Sequence, residues 1–563
     1  MTITAKSPAE IAGRLTAILD WLAGSHLRTV AALLLLALAC FLPGQASIPA
    51  VDRDEARYAQ ATTQMLETGD FVDIRLHDQP RHNQPAGIYW LQALAVKISG
   101  AELPAPIWLH RLPSLIGACL IVLLTYWAAL PFGRRIALVA GAMMAALLVL
   151  NVEARLAKTD AVLNAAILLC QVVLLRLYLG DRNKQAPLAY AGAFWIAAGV
   201  GVMVKGPILV MIVGLTVVAA SALARDIGWL RGLRPLIGLP IALALALPWY
   251  VAIWFATDGA FYAMAVGRNI TDRIATGLES HGAPPGYYVA AVFVSAWPIA
   301  AVAVSALPSL WRERRAAFVR FAAAWVLPAW IAFELIATKL PHYVLPLYPA
   351  IALAAAAALA GDRIDAERWW VRLLFFLAAL GPVTTVAAAI GASVWLEGRV
   401  PALAIVLGAL VIALAVLATA LIEARALLAG WLVLAALAAP VTYAAVFGVV
   451  APRLDSLWMS PRLAAAAVDV AGCPDPKVIS VGNGEASLIF AVGTDIAFGS
   501  ADDAAAFLAA GGCRAAIVER AAEPAFAAKL AELGIKPGLR DRVRGLNIGN
   551  GRYLDFGVYG RPQ

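Results

Sequence analysis

Charged residues are scarce in this 563-residue chain: Asp, Glu, Lys and Arg together make up 14% of it, and histidine occurs six times. Soluble globular domains contain about 25% charged and 45–50% apolar residues, whereas this chain is 62% hydrophobic. The shortage of charge excludes an ordinary soluble enzyme, a disordered protein and a coiled coil. The apolar runs are long and continuous rather than alternating, which argues against a transmembrane β-barrel.

Cysteine is also rare, and the five present are too few for a disulfide scaffold. Cys40, Cys119 and Cys170 lie in apolar runs and are expected to be buried thiols. Cys473 and Cys513 lie in the C-terminal region, where they can pair. No cleavable signal peptide is expected, because the first apolar run, from Thr29, lacks a convincing small-residue cleavage site.

The chain is instead rich in apolar runs of membrane-spanning length. A helix of about 20 mostly apolar residues crosses a bilayer, and the sequence predicts about thirteen such spans. The sequence therefore predicts a mainly α-helical, polytopic transmembrane bundle. The predicted spans lie near 29–47, 107–131, 136–151, 161–180, 188–204, 207–224, 235–255, 287–309, 318–337, 341–360, 373–396, 400–421 and 427–449.

Lysine and arginine in the loops predict the orientation, because they accumulate on the cytoplasmic side. The net charge of +8 is read in this way rather than as a sign of nucleic-acid binding. The basic loops and the N-terminus are expected inside, so that an odd number of spans places loop 48–106, loop 256–286 and the C-terminal region outside. The basic loops carry Arg134, Arg135, Arg182, Lys184, Arg225, Arg231, Arg234, Arg312, Arg314, Arg315, Arg363, Arg368 and Arg372.

A change of composition near residue 452 predicts two domains: a membrane domain, 1–451, and a soluble exterior domain, 452–563. Apolar runs of strand length alternate there with Ala-rich helical stretches, which is typical of a small α/β domain. The expected strands are 477–481, 487–492, 515–518 and 553–558, and the expected helices are 502–510 and 521–533.

The first exterior loop opens with the sequence Asp-Arg-Asp-Glu-Ala-Arg-Tyr from Asp52. Asp52 and Glu55 have the spacing of a capping box, which explains both as residues that start a helix. Asp54 is left unexplained, and on that helix it shares a face with Arg57 and Tyr58. The alternatives are a functional carboxylate presented just outside the membrane and a solvated surface pair.

A second group of polar residues, from the end of the third predicted span to the start of the fourth, consists of Asn151, Glu153, Arg155, Lys158 and Asp160. Interfacial snorkelling accounts for the two basic residues. Asp160 at the head of a helix can simply complement the helix dipole. The functional alternative is that these charges face a substrate at the exterior edge of the bundle.

Two lysines stand at breaks between apolar runs: Lys205 is followed by Gly-Pro, and Lys339 by Leu-Pro, His342 and Tyr343. A lone lysine at a span end usually snorkels, but at a broken helix the backbone and the ammonium can both face an anion. Cations beside a carboxylate that accepts a proton suit group transfer. The residues alone therefore predict an outward-facing site for an anionic, phosphorylated substrate such as a lipid-linked phosphate.

Seven short motifs follow one another in order between about residues 30 and 360, and the ordered set is specific although each motif alone is modest. The set resembles the polytopic lipid-dependent glycosyltransferases of the GT-C class, and within it the bacterial branch that contains the aminoarabinose transferase of lipid A and its relatives among protein O-mannosyltransferases. The tail resembles the exterior domain of such enzymes much less distinctly. The motifs are DEARYA at 54–59, GDFV at 69–72, QPAGIYWL at 84–91, KTDA at 158–161, KGP at 205–207, PWY at 248–250 and KLPHYVLPLYP at 339–349.

The resemblance implies an inner-membrane glycosyltransferase that moves a sugar from a polyprenyl phosphate donor to a lipid or glycan acceptor on the periplasmic face. Lipid A is one candidate acceptor, and the expected partners are donor, acceptor and membrane lipids. The catalytic carboxylate is expected to be Asp54, with Asp160 as a second, and Lys205 and Lys339 lead the residues that hold the donor phosphate. The residues expected to bind substrate are Glu55, Arg57, Tyr58, Arg155, Lys158, Lys205, Lys339, His342 and Tyr343.

The chain departs from the family pattern at two places that concern a metal. The aminoarabinose transferases usually have Glu-Lys-Pro where this chain has Asn-Gln-Pro at 83–85. Their Glu-His pair after the seventh span is not visible, and Glu279 and His281 are only weak ligand candidates. Carboxylate and imidazole suit a divalent metal, so the loss of both argues against copying a metal site from the family. A divalent metal is not supported by the residues present, and no cofactor is assigned. The donor sugar and acceptor then need not be aminoarabinose and lipid A.

The competing function is a transporter or flippase of a lipid-linked sugar. Transporters usually carry ionisable groups near the bilayer midplane and repeated halves. In this sequence the predicted spans are nearly free of midplane charge, and the acids lie at the exterior edge. A structural membrane subunit would not need such a group of charges.

Overall fold

The computed structural model describes residues 7–181, 186–265, 282–535, 538–549 and 551–560, so Glu279 and His281 lie outside the described residues. Within these ranges, ten helices are long and apolar enough to cross a membrane, or up to twelve crossings form if each of two bent helix pairs is one span. The expected mainly α-helical membrane bundle is confirmed, whereas the count of about thirteen is not. The ten are Ile107–Phe132, Asp160–Leu179, Leu188–Lys205, Pro207–Ala224, Pro235–Ala256, Ala317–Leu335, Pro341–Ala360, Trp369–Glu397, Ala402–Glu423 and Leu427–Arg453.

The difference in count comes from interrupted helices. Pro8–Ala23 and His26–Phe41 meet at 116°, and Tyr287–Ser295 and Ile299–Arg312 meet at 118°. The predicted third span, 136–151, falls on two shorter helices, Arg134–Ala146 and Leu148–Glu153. Three of the ten spans are built from shorter segments, among them Leu130–Phe132, Pro341–Leu347, Tyr348–Ala360, Leu427–Leu432, Val433–Ala438, Ala439–Tyr443, Ala444–Val450 and Ala451–Arg453. Short helical segments outside the spans are Gly228–Leu233, Ala260–Tyr262 and Asp455–Leu457.

Loop 48–106 is built around the helix Asp54–Thr68, named here the loop helix. It begins after Arg53, whose φ of +67° is unusual for a residue with a side chain, and it ends at Gly69 in the left-handed conformation. The capping box expected from Asp52 and Glu55 is wrong, because the N-cap residue is Arg53 and makes no side-chain cap. The two-residue strands Arg75–Leu76 and Gln79–Pro80 and the helix Gly87–Ser99 complete the loop.

The C-terminal region contains a five-stranded sheet in the order Ala497–Phe498, Lys477–Val481, Arg514–Glu519, Tyr553–Gly560, Gly538–Leu546. The first three strands are parallel and the last two pairings are antiparallel, with Ala516 between Ile479 and Tyr559. Residues 487–492 were expected to form a strand, and this prediction is wrong because the segment is helical. Periodicity alone cannot distinguish a short buried helix from a strand. The helices are Met459–Ala471, Ala486–Val492, Ala501–Ala509 and Glu523–Glu532.

The C-terminal region packs on the loop helix. Gln60 donates to the Thr494 hydroxyl at 2.7 Å, and Thr494 in turn donates to Glu67 at 2.7 Å. Asp52 is largely buried beside Ser487, and this burial raises the pKa of its carboxyl although the hydrogen bond from Ser487 opposes the shift. Loop 48–106 and the tail therefore lie at the same end of the bundle, as the sequence predicts.

Cys473 and Cys513 form a disulfide with a Cα–Cα distance of 6.2 Å. The bridge joins the end of the helix Met459–Ala471 to the start of the strand Arg514–Glu519. Cys40 and Cys170 are buried thiols as expected, whereas Cys119 is only partly buried. A disulfide in this region is compatible with an oxidising compartment.

Candidate active site

Five ionisable side chains from four separate segments meet at the end of the bundle that carries the loop helix. We call Glu153, Lys158, Asp160, Lys205 and His342 the charge cluster. Glu153 ends a helix and Asp160 begins the next, Lys205 ends the helix Leu188–Lys205, and His342 lies in the 3₁₀ segment Pro341–Leu347. Each side chain is at most 15% exposed.

Two carboxylates and three basic groups alternate in the charge cluster. The Lys205 ammonium lies 2.7 Å from Asp160, and the Lys158 ammonium lies 3.0 Å from Glu153 and 3.6 Å from Asp160. The two ring nitrogens of His342 lie 3.5 Å from Glu153 and 3.8 Å from Asp160. Burial alone would lower the pKa of Lys158, but the two carboxylates outweigh that effect and raise it, so this ammonium stays charged.

Two glycines position Lys205. Gly206 has a φ of +42°, which glycine adopts without steric cost, and Pro207 starts the next helix, so the chain turns sharply at the lysine. Gly87 lies against the helix that ends at Lys205, where a Cβ atom would stand 2.6 Å from the Met203 carbonyl oxygen. Loop 48–106 can therefore approach the end of this helix closely only because position 87 has no side chain.

Beside the charge cluster lies an aromatic and cationic group formed by Tyr58, Arg81 and Tyr89. The Arg81 guanidinium stands 4.9 Å from the Tyr58 ring centroid and donates to the Tyr89 hydroxyl at 3.0 Å. Burial and the neighbouring Tyr89 raise the pKa of Tyr58 well above its usual range, although Arg81 opposes the shift. Tyr58 therefore stays a neutral phenol that can donate a hydrogen bond.

Asp54 is the exposed carboxylate of this region, at the first residue of the loop helix. It is close enough to Lys158 and Arg81 for its charge to raise the pKa of both, and it acts in the same way on Tyr58. No hydrogen bond or ion pair within the described ranges involves its carboxylate. The structure thus presents Asp54 to solvent beside buried cations.

Glu55, expected to bind substrate, is instead part of the protein interior. Both of its oxygens accept from Arg111 at 2.8 Å, and both side chains are 1% exposed. Glu55 also accepts from the backbone N–H of Val51 at 2.9 Å and of Ala157 at 2.8 Å. The carboxylate thereby ties the start of the loop helix to the segment before Asp160, which is a correction of the expected role.

Replacing Glu55 by glutamine should therefore lower stability. Removing one partner of a buried ion pair costs about 3–5 kcal/mol, so we expect the free energy of unfolding to fall by about that amount. The measurement is a denaturation curve of the purified protein in detergent. Glu102→Gln, at an exposed site of the same loop, is the matched control, and equal curves for the two variants would contradict the assignment.

Arg155, expected to hold phosphate, is also engaged inside the bundle. Its guanidinium donates to the backbone carbonyls of Pro43, Cys40 and Asn151 and stacks 4.3 Å from the Phe447 ring centroid. These carbonyls include free acceptors at the end of the helix His26–Phe41. Arg155 therefore caps the C-terminal end of the helix His26–Phe41. This structural role replaces the role in substrate binding that was expected.

Lys205 and Lys339, which lead the residues expected to hold phosphate, have different partners: Lys205 pairs with Asp160, and Lys339 with a backbone carbonyl. The Lys339 ammonium is buried and donates to the carbonyl of Ile336 at 2.5 Å. Tyr343 packs edge-to-face against His342, with ring centroids 5.0 Å apart, and also contacts Phe333. Arg57 is half-buried one turn beyond Asp54.

Sequence reasoning missed Glu153, Arg81 and Tyr89 as members of the site. Glu153 carried one signal, since it is an acid at the end of an apolar run. Tyr89 lies in the QPAGIYWL motif, but its neighbour Arg81 comes from outside any motif. Their meeting depends on how the exterior loop folds over the membrane helices, which periodicity does not encode.

The charge cluster does not resemble a cation site. Its two carboxylates already face two ammonium groups and an imidazole, and a divalent cation prefers oxygen ligands free of competing positive charge. Among the described residues, no group of three or more His, Cys, Asp or Glu side chains is arranged to hold a metal.

An exposed carboxylate beside buried cations, at the ends of helices long and apolar enough to cross a membrane, gives a polytopic membrane protein with a polar site at one end of its helix bundle. Comparison with known proteins shows which protein families this chain is similar to. Residues 26–258 match the family model of dolichyl-phosphate-mannose-protein mannosyltransferases.

Two curated relatives carry the name undecaprenyl phosphate-alpha-4-amino-4-deoxy-L-arabinose arabinosyl transferase. The protein of Pectobacterium carotovorum subsp. carotovorum (strain PC1) is 27% identical over 336 residues, which is 57% of this chain and 58% of that protein. The protein of Pseudomonas aeruginosa (strain LESB58) is 29% identical over 313 residues, 54% of this chain and 55% of that protein. The chain thus spans little more than half the length of these relatives in the matched regions.

The fold is that of the solved structures of ArnT from Cupriavidus metallidurans. The apo structure matches with a TM-score of 0.71 at 19% identity over 97% of this chain and 100% of that chain. The structure bound to undecaprenyl phosphate matches with a TM-score of 0.67 at 20% identity over 94% and 97%. The resemblance to GT-C transferases, given above on the sequence motifs, is confirmed.

Proposed function

We propose that this protein is a glycosyltransferase that moves a sugar from a polyprenyl-phosphate donor to a lipid or glycan acceptor at the periplasmic face of the bacterial inner membrane. The observation that carries the proposal is the position of exposed Asp54 beside the buried cations of the charge cluster. The names of the curated relatives and the undecaprenyl phosphate bound by the Cupriavidus protein support this donor class. Lipid A is a candidate acceptor because the family resemblance implies it.

The charge cluster suits the phosphate of the donor. A polyprenyl tail stays in the bilayer, so its phosphate lies at the interface, where the ammonium groups of Lys158 and Lys205 and the imidazole of His342 converge. Charge-assisted hydrogen bonds to phosphate are roughly twice as strong as neutral ones. The neutral phenol of Tyr58 adds a donor. Arg57, Lys339 and Tyr343 are proposed to contribute from the margin of the site.

Transfer breaks the bond between the anomeric carbon and the phosphate oxygen and forms a bond between that carbon and an acceptor oxygen. The leaving polyprenyl phosphate keeps the electron pair, and the nearby cations stabilise its charge. If the acceptor is a hydroxyl, Asp54 takes its proton as the new bond forms. If the acceptor is a phosphate, it is already ionised, and Asp54 positions it instead.

We assign Asp160 a positioning role rather than the catalytic role expected from the sequence. Its carboxylate lies 2.7 Å from Lys205 and 3.6 Å from Lys158. Both ammonium groups are thereby held toward one point. Glu153 does the same for Lys158 and His342, and the two carboxylates balance the positive charge of the cluster.

Reconstituted vesicles separate transfer from flipping. Purified protein in vesicles is given a labelled undecaprenyl-phosphate sugar, with and without a bacterial lipid A acceptor. We expect the label to move to the acceptor with release of undecaprenyl phosphate, and to do so at the same rate in a metal chelator, because we propose a metal-independent reaction. Movement of the intact labelled lipid across the bilayer without transfer would overturn the proposal in favour of a flippase.

The periplasmic orientation makes a separate prediction about the tail. Asp502 is exposed in the C-terminal region, and Arg14 is exposed near the N-terminus. A membrane-impermeant maleimide should label Asp502→Cys in intact spheroplasts and spare Arg14→Cys until the cells are lysed, because the two sites lie on opposite faces of the inner membrane. The reverse pattern would place the site in the cytoplasm.

A further inference from the structure

A groove of about 770 Å³ lies at the end of the bundle remote from the charge cluster. It is formed by the helices Pro207–Ala224, Ile299–Arg312, Ala317–Leu335 and Tyr348–Ala360. The helix Pro207–Ala224 starts beside Lys205 and reaches the groove only at Leu223, its far end. The helix Ala317–Leu335 runs in the opposite direction, from the groove toward the site. The groove is therefore separate from the proposed active site.

The groove is apolar except at one end. Every side chain that lines it is hydrophobic apart from Arg314 and Arg320. Small residues such as Ala303, Ala323 and Ala354 form its floor. An apolar channel on the side of a membrane bundle suits a hydrocarbon chain, because a chain in such a channel keeps dispersion contacts along its length.

The two arginines are placed to meet a negative charge. Arg314 is exposed, donates to the Trp311 carbonyl at 3.0 Å and stands 5.2 Å from the Trp311 ring centroid, so its guanidinium is held in place. Arg320 makes one long bond, 3.5 Å, to the carbonyl of Leu223. Its Nε is buried and has no hydrogen-bond partner among the residues that the structure describes.

The charge around this end of the groove is predominantly positive. Arg312 and Arg315 flank Arg314 in the chain. The acid between them, Glu313, is paired with Arg363 at 2.7 Å and so does not neutralise the groove arginines. Trp311 is 71% exposed, and exposed tryptophan is typical of the level of the lipid headgroups.

From this combination we infer that the groove binds an anionic phospholipid of the membrane leaflet on that side, with an acyl chain along the alanine floor and the headgroup phosphate on Arg314 and Arg320. Basic pockets between membrane helices bind anionic headgroups. A guanidinium matches phosphate with two parallel hydrogen bonds, and exposed Arg314 at the end of the groove presents such a group. This inference does not depend on the proposed transfer reaction.

The test is lipid retention by the full-length protein. Protein purified from nanodiscs with equal amounts of phosphatidylglycerol and phosphatidylcholine is analysed by native mass spectrometry. We expect a preference for phosphatidylglycerol of about fivefold or more, reduced to within about twofold in R314Q/R320Q because the paired charges are lost. R314Q alone, at an exposed position, should lose part of the preference without affecting folding. Arg14→Gln, an exposed arginine elsewhere, should keep the wild-type preference.

Two further measurements identify the molecule that binds in the groove. Ala323→Phe narrows the groove and should reduce retention of both phospholipids while leaving the arginines intact. Added undecaprenyl phosphate should not displace phosphatidylglycerol at equal concentration. Displacement that is abolished by R314Q/R320Q would show that the groove takes an isoprenoid phosphate, and an absence of preference in the wild type would overturn the inference.

Discussion

Replacing Asp54 by asparagine is expected to reduce sugar transfer by about 10²–10⁴-fold, which is the usual contribution of a positioned general base. The amide has nearly the same shape as the carboxylate but cannot take a proton from an acceptor hydroxyl. The Asp54 side chain is exposed and its carboxylate makes no hydrogen bond within the described part of the chain, so the variant should fold and insert as the wild type does. The measurement is the initial rate of label transfer at saturating donor.

Asp78→Asn is the matched control for this experiment. Asp78 lies in the same exterior loop, its side chain is 85% exposed, and it pairs with His77 at 2.9 Å. Transfer by this variant should stay close to the wild-type rate. Near wild-type transfer by Asp54→Asn would instead remove Asp54 from the mechanism.

Lys205→Gln is expected to weaken donor binding by roughly 10- to 100-fold. A hydrogen bond to a charged group contributes about 1.5–3 kcal/mol, and each 1.4 kcal/mol is a factor of about ten in affinity. The ammonium of Lys205 lies 2.7 Å from Asp160 at the centre of the charge cluster. Its loss removes one cation from the donor phosphate and leaves Asp160 with less compensation.

The measurement is the Kd of undecaprenyl phosphate for purified protein in detergent. Lys97→Gln supplies the control, because Lys97 is an exposed lysine of the same exterior loop that stacks 4.8 Å from the Phe71 ring centroid. If donor binding weakens equally in both variants, the effect comes from lowering the positive charge in general. That result would contradict the specific role of Lys205.

The sequence predicted the membrane bundle well because hydropathy directly reports which segments a bilayer can accept. It also predicted that Lys158, Asp160, Lys205 and His342 concentrate at one end, since each stands at the end of an apolar run. The loop helix also begins within two residues of the start expected at Asp52. These features are local in the chain, so local patterns suffice for them.

The roles of Glu55 and Arg155 could not be read in the same way. A charged residue in a motif is equally consistent with binding a ligand and with binding the protein itself. Only the fold shows that Glu55 faces Arg111 across 56 positions of the chain, and that Arg155 reaches carbonyls more than 100 positions away. Arg111 had no sequence signal of its own beyond being a charge within an apolar run.

The tail illustrates a second limit. Its strands 477–481, 515–518 and 553–558 were predicted, but the hairpin strand Gly538–Leu546 was not, because charged residues such as Arg542 and Arg544 interrupt its apolar pattern. These arginines pair with Asp555 on the neighbouring strand at 2.8 and 3.0 Å. Cross-strand pairs stabilise a sheet without leaving an apolar signature in either strand.

The most direct test of the account is the affinity of Asp54→Asn for undecaprenyl phosphate, measured on the same preparation whose transfer rate is known. In the proposed mechanism the charge cluster holds the donor phosphate, whereas Asp54 acts on the acceptor. It therefore predicts a Kd within about twofold of the wild type together with the loss of transfer. A variant that loses donor binding along with transfer, or that keeps both, would contradict it.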